Sequence, residues 1–225
     1  MLVIFAGPKG GTGKSTAATN CAAIRTIKGR DVLLYDIDPQ RTSTLWCSRR
    51  DENQSNPRVS SVQKVLDAKK IFNLGTVTRN DLKALLLKYE DIIIDAGGAD
   101  TESLRAAMTL ADQVIFPVSP SEFDMWTFSH LSNLVSSAQV EDKNLVGKIL
   151  LNKVNVNPAT AKVDIDECDD FLSDFENLIR LDSVVRERVA IRRASGKGQS
   201  IVEYSPPDKK AESEILGLYE EIFND

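Results

Sequence analysis

No stretch of the 225-residue sequence approaches the roughly 18–20 consecutive apolar residues that a membrane-crossing helix needs. No basic segment precedes the first apolar run: Met1-Leu2-Val3-Ile4-Phe5-Ala6-Gly7 leads straight into a glycine-rich loop, so no signal peptide is expected. Cysteine is scarce. Cys21, Cys47 and Cys168 are odd in number, far apart and never in a CxxC pair, which excludes a zinc or cluster site of that kind and suits a reducing, cytoplasmic setting. The single histidine, His130, lies in an apolar-patterned helix and is expected to be structural. Internal repeats and low-complexity linkers are absent. Positive charge is not in excess either: the net charge of −5 excludes a wholly basic nucleic-acid coat and leaves room only for a local patch. What remains, 42% hydrophobic and 27% charged residues, is ordinary for a globular protein. The length suits one domain over residues 1–225, with a core large enough to need no staple.

The order of elements follows from periodicity. Leu2 to Ala6 is a short apolar run that reads as a strand buried on both faces. Ser15 to Lys28 is alanine-rich and helical, closed by Gly29. Further strands are expected at Asp31–Asp36, Val59–Val62, Asp91–Asp95, Gln113–Val118 and Gly147–Leu151. Helices are expected between them at Arg41–Arg50, Arg79–Tyr89, Glu102–Ala111 and Glu122–Ala138, with a polar loop at Asp51–Pro57. Two or three helices then close the chain, the last with Ile215, Leu218, Tyr219, Ile222 and Phe223 on one face. Apolar strands alternating with helices predict a doubly wound, mostly parallel α/β sheet covered on both sides.

Between the first strand and the first helix stands Lys9-Gly10-Gly11-Thr12-Gly13-Lys14-Ser15-Thr16. Glycines let backbone N–H groups turn toward phosphate oxygens, and the helix N-terminus adds a favourable dipole. In such a loop Lys14 reaches the β- and γ-phosphates and the Ser15 hydroxyl ligates Mg²⁺. The usual P-loop spacing is met except at its first glycine, where Pro8 stands. Asp36 and Asp38 close the second strand and Asp95 the fourth, at the end of a parallel sheet where ligands bind. One strand-terminal aspartate often does no more than cap a loop; three converging on a phosphate loop point to a metal–nucleotide site.

Lys9 directly before Gly-Gly-Thr-Gly-Lys-Ser, with Asp36-Ile-Asp-Pro-Gln40 and the Asp95 strand, resembles the deviant Walker A ATPases of the ParA/MinD family. The likeness runs on through Phe116-Pro-Val-Ser-Pro120, Asn152, Val184-Val-Arg-Glu-Arg188 and Gly198-Gln-Ser-Ile-Val-Glu-Tyr204. It is strongest toward the short, ParF-like plasmid partition ATPases, in which no N-terminal DNA-binding domain precedes the loop. The resemblance implies a P-loop NTPase that hydrolyses ATP with Mg²⁺ and forms an ATP-dependent homodimer. In it Lys9 would cross to the partner's phosphates and Asp38 would position the attacking water. Ser15, Asp36 and Asp95 would serve the Mg²⁺, and Asn152 would meet the adenine edge with Pro206 nearby.

Arg186, Arg188, Arg192, Arg193 and Lys197 fall within twelve residues, opposed only by Glu187, and Arg188 and Arg192 share a helix face at i, i+4. Such a run is usually a solvated face. The resemblance implies instead that it holds nonspecific double-stranded DNA in the ATP state, placing the protein on the nucleoid. It also implies that a centromere-binding or adaptor protein stimulates hydrolysis. A membrane-anchored relative is not expected, because the chain closes on the acidic Tyr219-Glu-Glu-Ile-Phe-Asn-Asp225. A biosynthetic ligase is compatible with the phosphate loop but has no need of Lys9 or the arginines. Plasmid, conjugative element and protein assembly all stay open as cargo.

Overall fold

The computed structural model describes residues 1–52, 56–64, 73–98, 100–120, 127–140 and 145–224. The strands are β1 (Leu2–Phe5), β2 (Val32–Asp36), β3 (Ser60–Gln63), β4 (Asp91–Asp95), β5 (Gln113–Val118), β6 (Gly147–Val154) and β7 (Leu178–Arg186). They form one parallel sheet in the order β3-β2-β4-β1-β5-β6-β7. The helices are α1 (Lys14–Ile27), α2 (Thr42–Glu52), α3 (Leu74–Leu86), α4 (Glu102–Met108), α5 (Phe128–Gln139), α6 (Pro158–Leu172), α7 (Val189–Gly196) and α8 (Lys209–Phe223).

Strand side chains alternate between two cores, as a period of two requires. Leu2, Ile4, Leu33, Tyr35, Ile92 and Ile94 pack with α3 to α6. Val3, Phe5, Val32, Leu34, Ile93 and Ile115 pack with α1, α2, α7 and α8. The five residues expected on the inner face of the last helix are all buried there. The expected strands appear within a few residues of their predicted bounds. The expected helix at 122–138 is seen from Phe128; its first five residues lie outside the described segments, as do residues 53–55 of the expected loop.

One strand was not expected: β7 stands where only helices were predicted after the sixth strand. Its sequence, Leu-Ile-Arg-Leu-Asp-Ser-Val-Val-Arg, does not alternate cleanly, and its pairing with β6 carries register shifts that break the period. It is also an edge strand, and α8 covers part of that edge. The Glu221 carboxylate accepts from Asp182 N (2.6 Å) and Ser183 N (2.8 Å), and Glu214 accepts from Arg186 N (3.1 Å). Backbone donors that an edge leaves open are thereby satisfied.

The three cysteines are free and buried. Burial pushes the thiols of Cys21 and Cys168 up to about 12 and that of Cys47 up to about 11, so they are inert core residues. His130 is exposed on α5, not packed in the core. No helix among the described residues is long and apolar enough to cross a membrane.

Candidate nucleotide-binding site

The loop from Pro8 to Gly13 joins β1 to α1 at the C-terminal end of the sheet. Gly13 is required twice over. Its φ is +97°, and a Cβ there would fall 2.0 Å from Asn152 Nδ2. That amide donates to the Thr12 carbonyl at 2.6 Å, while Asn152 Oδ1 accepts from Lys153 N at 3.0 Å. Asn152, expected to read adenine, thus braces the phosphate loop from inside β6, although it stays on the cavity wall. Lys14 is buried, and its Nζ donates to the Lys9 carbonyl at 2.8 Å. Burial lowers its pKa, opposed by the nearby charges of Asp95 and Asp38. An ammonium has three donors, so this one keeps capacity for phosphate oxygens.

Asp36 and Asp95 are register partners on adjacent strands, both fully buried. Their carboxylates differ in what surrounds them. Asp36 accepts from Asp38 N (3.0 Å), Thr44 N (2.9 Å) and Thr44 Oγ1 (2.7 Å). It is therefore engaged in shaping the Asp38 loop and the start of α2. Neither oxygen of Asp95 has a hydrogen-bond partner. Burial, then repulsion from Asp36 and Asp38, pushes its carboxyl up to about 7; the hydroxyls of Ser15 and Ser43 face it and temper the shift without closing a well-formed hydrogen bond. Asp38 is half-buried, its Oδ1 accepting from Gln40 N at 2.8 Å.

Among the described residues no cluster of three or more acidic, histidine or cysteine side chains could cage a metal unaided. Mg²⁺ characteristically keeps several waters and is shared between one or two protein groups and phosphates. An orphaned buried carboxylate facing the Ser15 hydroxyl, beside a phosphate loop, fits that ion.

Gly10, Gly11, Gly13, Lys14, Ser15 and Asp38 line a cavity of about 1030 Å³, ample for a nucleotide. Its far wall is formed by Asn152, Lys153, Arg186, Glu187, Arg188 and Arg192. Lys153 was missed from the sequence. It adopts φ +59° at an irregularity in β6, and nothing local marks a lysine inside an apolar strand for that conformation. Pro206, expected near adenine, does not border this cavity; it lines a separate depression.

The arginine stretch is a strand end followed by a helix. Arg186 closes β7, Arg188 precedes the first turn of α7, and Arg192 and Arg193 lie exposed on α7. Arg186 and Arg188 are bound to Glu214 and are not an open basic face.

Asp95→Asn should expose the cost of the buried carboxyl. A carboxyl whose folded pKa is raised from 3.8 to about 7 holds its proton more tightly in the native state. Its contribution is therefore present below about pH 4 and is lost as pH rises to about 7. In nucleotide-free protein the wild-type melting temperature should fall across that window and the variant's should not, the wild-type loss being on the order of 4 kcal/mol. The same variant should bind Mg²⁺–nucleotide more weakly. Parallel thermal melts with pH would reject the assignment of the shift to Asp95.

Residues 3–201 match the CobQ/CobB/MinD/ParA nucleotide binding domain. The chain is 24% identical to the sporulation initiation inhibitor protein Soj of Bacillus subtilis, covering 98% of this chain and 97% of Soj. It is 25% identical to the maintenance of carboxysome distribution protein A of Halothiobacillus neapolitanus, over 95% of this chain and 92% of that protein. Its fold is shared with an ATP complex of Cyanothece McdA at a TM-score of 0.74 and 16% identity, covering 98% of this chain and 95% of the other. With its parallel sheet, phosphate loop and paired strand-end aspartates, the chain belongs to the CobQ/CobB/MinD/ParA family of nucleotide-binding domains.

Proposed function

We propose that the chain is a Mg²⁺-dependent ATPase switch of the ParA type, which dimerises on ATP, holds nonspecific duplex DNA in that state and lets go after hydrolysis. The observation that carries this reading is that Lys14, Ser15 and Asp38 line one cavity at the ends of the central strands, with the buried Asp95 carboxyl behind Ser15. Phosphoryl transfer asks a protein mainly for positioning and charge, and this set supplies both. Backbone N–H groups of Gly10 to Lys14 and the Lys14 ammonium hold the β- and γ-phosphates. Ser15 and Asp95 hold Mg²⁺, which when bound neutralises charge on those phosphates. Asp38, fixed through its own backbone by Asp36, accepts a hydrogen bond from water and aims the oxygen at the γ-phosphorus. Lys9 supplies charge to the partner's phosphates across the dimer.

A partner protein that accelerates turnover completes the cycle, and the cargo is plasmid or other DNA. A second reading, positioning of a protein assembly, is favoured by the full-length likeness to a carboxysome distribution protein. The ligase alternative leaves Lys9 without a role.

Sedimentation should show monomer with ADP and dimer with ATP and Mg²⁺. Asp38→Ala should stay dimeric with ATP while turnover drops about 10²–10³-fold, the size expected for losing a general base. A protein that remains monomeric in ATP at high concentration would overturn the proposal.

A further inference from the structure

We infer that Glu187 selects the base of the nucleotide, its carboxylate accepting a hydrogen bond from the exocyclic amino group of adenine. Asn152 takes no part in that choice. This rests on the ATP reading above and names the side chain behind the preference for adenine.

Where the base lies follows from where the phosphates must lie. The phosphate loop leaves β1, while Asp38 and Asp95 stand at the ends of β2 and β4, to one side of it in the sheet. A γ-phosphate that meets Asp38 sends ribose and base the opposite way, over β5, β6 and β7. There the cavity wall is built from Asn152 and Lys153 in β6 and from residues between 186 and 192, where β7 passes into α7.

Several polar groups on that wall are already engaged. Asn152 is buried, and its amide is held at both ends, by the Thr12 carbonyl and by Lys153 N. Arg186 Nη1 lies 3.0 Å from Glu214 Oε1. Arg188 Nε and Nη2 lie 3.0 and 2.7 Å from the two oxygens of the same carboxylate. The Glu214 side chain is only 11% exposed, so taking either arginine from it would leave a largely buried charge short of a partner. Glu187 is different. It is exposed, and its carboxylate has no hydrogen-bond or ion-pair partner among the described residues. Its backbone is fixed, the N–H donating to the Val154 carbonyl at 3.0 Å. Arg186 and Arg188 reach Glu214 from alternate positions of an extended segment, which leaves the residue between them to the cavity.

Among the described residues of that wall Glu187 is the only carboxylate. A carboxylate accepts and never donates, and it repels phosphate, so in a cavity for a polyanion it serves only a donor away from the phosphates. The 6-amino group of adenine is such a donor; the 6-oxo group of guanine would set acceptor against acceptor. Val189 and Ile191, next along the chain, supply apolar surface for the ring. Lys153 and Arg192 on the same wall offset the negative charge. Ribose hydroxyls also donate, and a deoxynucleotide separates them from the base.

The test is calorimetric titration of the full chain, with Mg²⁺, by ADP, by purine riboside diphosphate (the same molecule without the amino group) and by 2′-deoxy-ADP. Wild-type protein should bind purine riboside diphosphate about ten- to a hundredfold more weakly than ADP, the size of one hydrogen bond to a charged group. Glu187→Ala should bind the two alike, with its melting temperature unchanged. Asn152→Ala should weaken both by one common factor, because what it loses is the support of the phosphate loop. 2′-Deoxy-ADP should bind as ADP does throughout. Wild-type protein indifferent to the amino group, or Glu187→Ala protein that still discriminates, would overturn the assignment. So would a penalty for the deoxynucleotide that Glu187→Ala abolishes, which would place the carboxylate on the ribose. Loss of discrimination in Asn152→Ala alone would return the base to Asn152. If wild-type protein binds none of the three, the nucleotide reading itself falls, a result separable from failure of Glu187 alone.

Discussion

Lys9→Ala is expected to lower ATP turnover by about 10³-fold or more while nucleotide affinity stays within a few-fold, because a charge supplied in trans to the transferring phosphoryl group is worth that much to the rate. What Lys9 does within its own chain supports this separation. Its main-chain carbonyl accepts the Lys14 ammonium at 2.8 Å, and alanine keeps that carbonyl. The phosphate loop should therefore hold nucleotide as before, and only what the Lys9 side chain contributes should vanish. Turnover measured by phosphate release, set against titration with a fluorescent ATP analogue, separates the two. A variant with wild-type turnover would remove Lys9 from catalysis. One that loses binding as steeply as Lys14→Ala would make it a simple phosphate ligand.

Arg50→Ala is expected to cost about 3–5 kcal/mol of stability, which for a chain of this size is roughly 6–20 °C in melting temperature. Arg50 is 1% exposed. Its guanidinium makes two 2.7 Å bonds to the Glu203 carboxylate and donates to the carbonyls of Pro57 (2.7 Å) and Gly198 (3.1 Å). It also lies 5.1 Å from the centre of the Trp46 ring. Alanine would leave Glu203, itself 11% exposed, without its counter-charge. Arg50→Met/Glu203→Leu should recover much of the loss, since a buried pair replaced as a pair is often neutral. Thermal melts of the single and double variants decide it. A single variant that melts within 2 °C of wild type would show the clamp to be dispensable.

That clamp explains a motif whose purpose could not be read from sequence. Gly198 has φ +69°, and a Cβ there would meet Arg50 N at 2.4 Å. Ser200 and Glu203 form a capping box, and Asn20 on α1 accepts from both Ser200 Oγ and Ile201 N at 2.9 Å. Gly198 to Tyr204 thus ties α1 and α2 to the C-terminal part of the chain.

The glycine-rich loop and the strand-end positions of the three aspartates were legible because each is local. A strand, a turn and a helix N-terminus lie within about fifteen residues, and strand ends can be found from apolar runs alone. Asn152 was marked as an adenine contact; its observed partner, the Thr12 carbonyl, is 140 residues away, and only the fold brings them together. The carboxylate partner of the arginines was hidden for the same reason. Glu187 beside them was visible, whereas Glu214, two elements later, is the carboxylate that binds them. β7 escaped because its apolar residues answer to a neighbour with irregular register, not to a simple alternation.

The two glutamates of α8 that sit on β7 are seven residues apart, two turns of one helix, and so meet the strand from a single face. Backbone pairing between copies would be slow to undo and blind to which nucleotide is bound. By occupying amides along that edge, Glu214 and Glu221 discourage one copy from zippering onto the next there. In the proposed cycle self-association would then be left to surfaces that a phosphate can switch on and its loss can switch off, as a clock that resets after every hydrolysis would require.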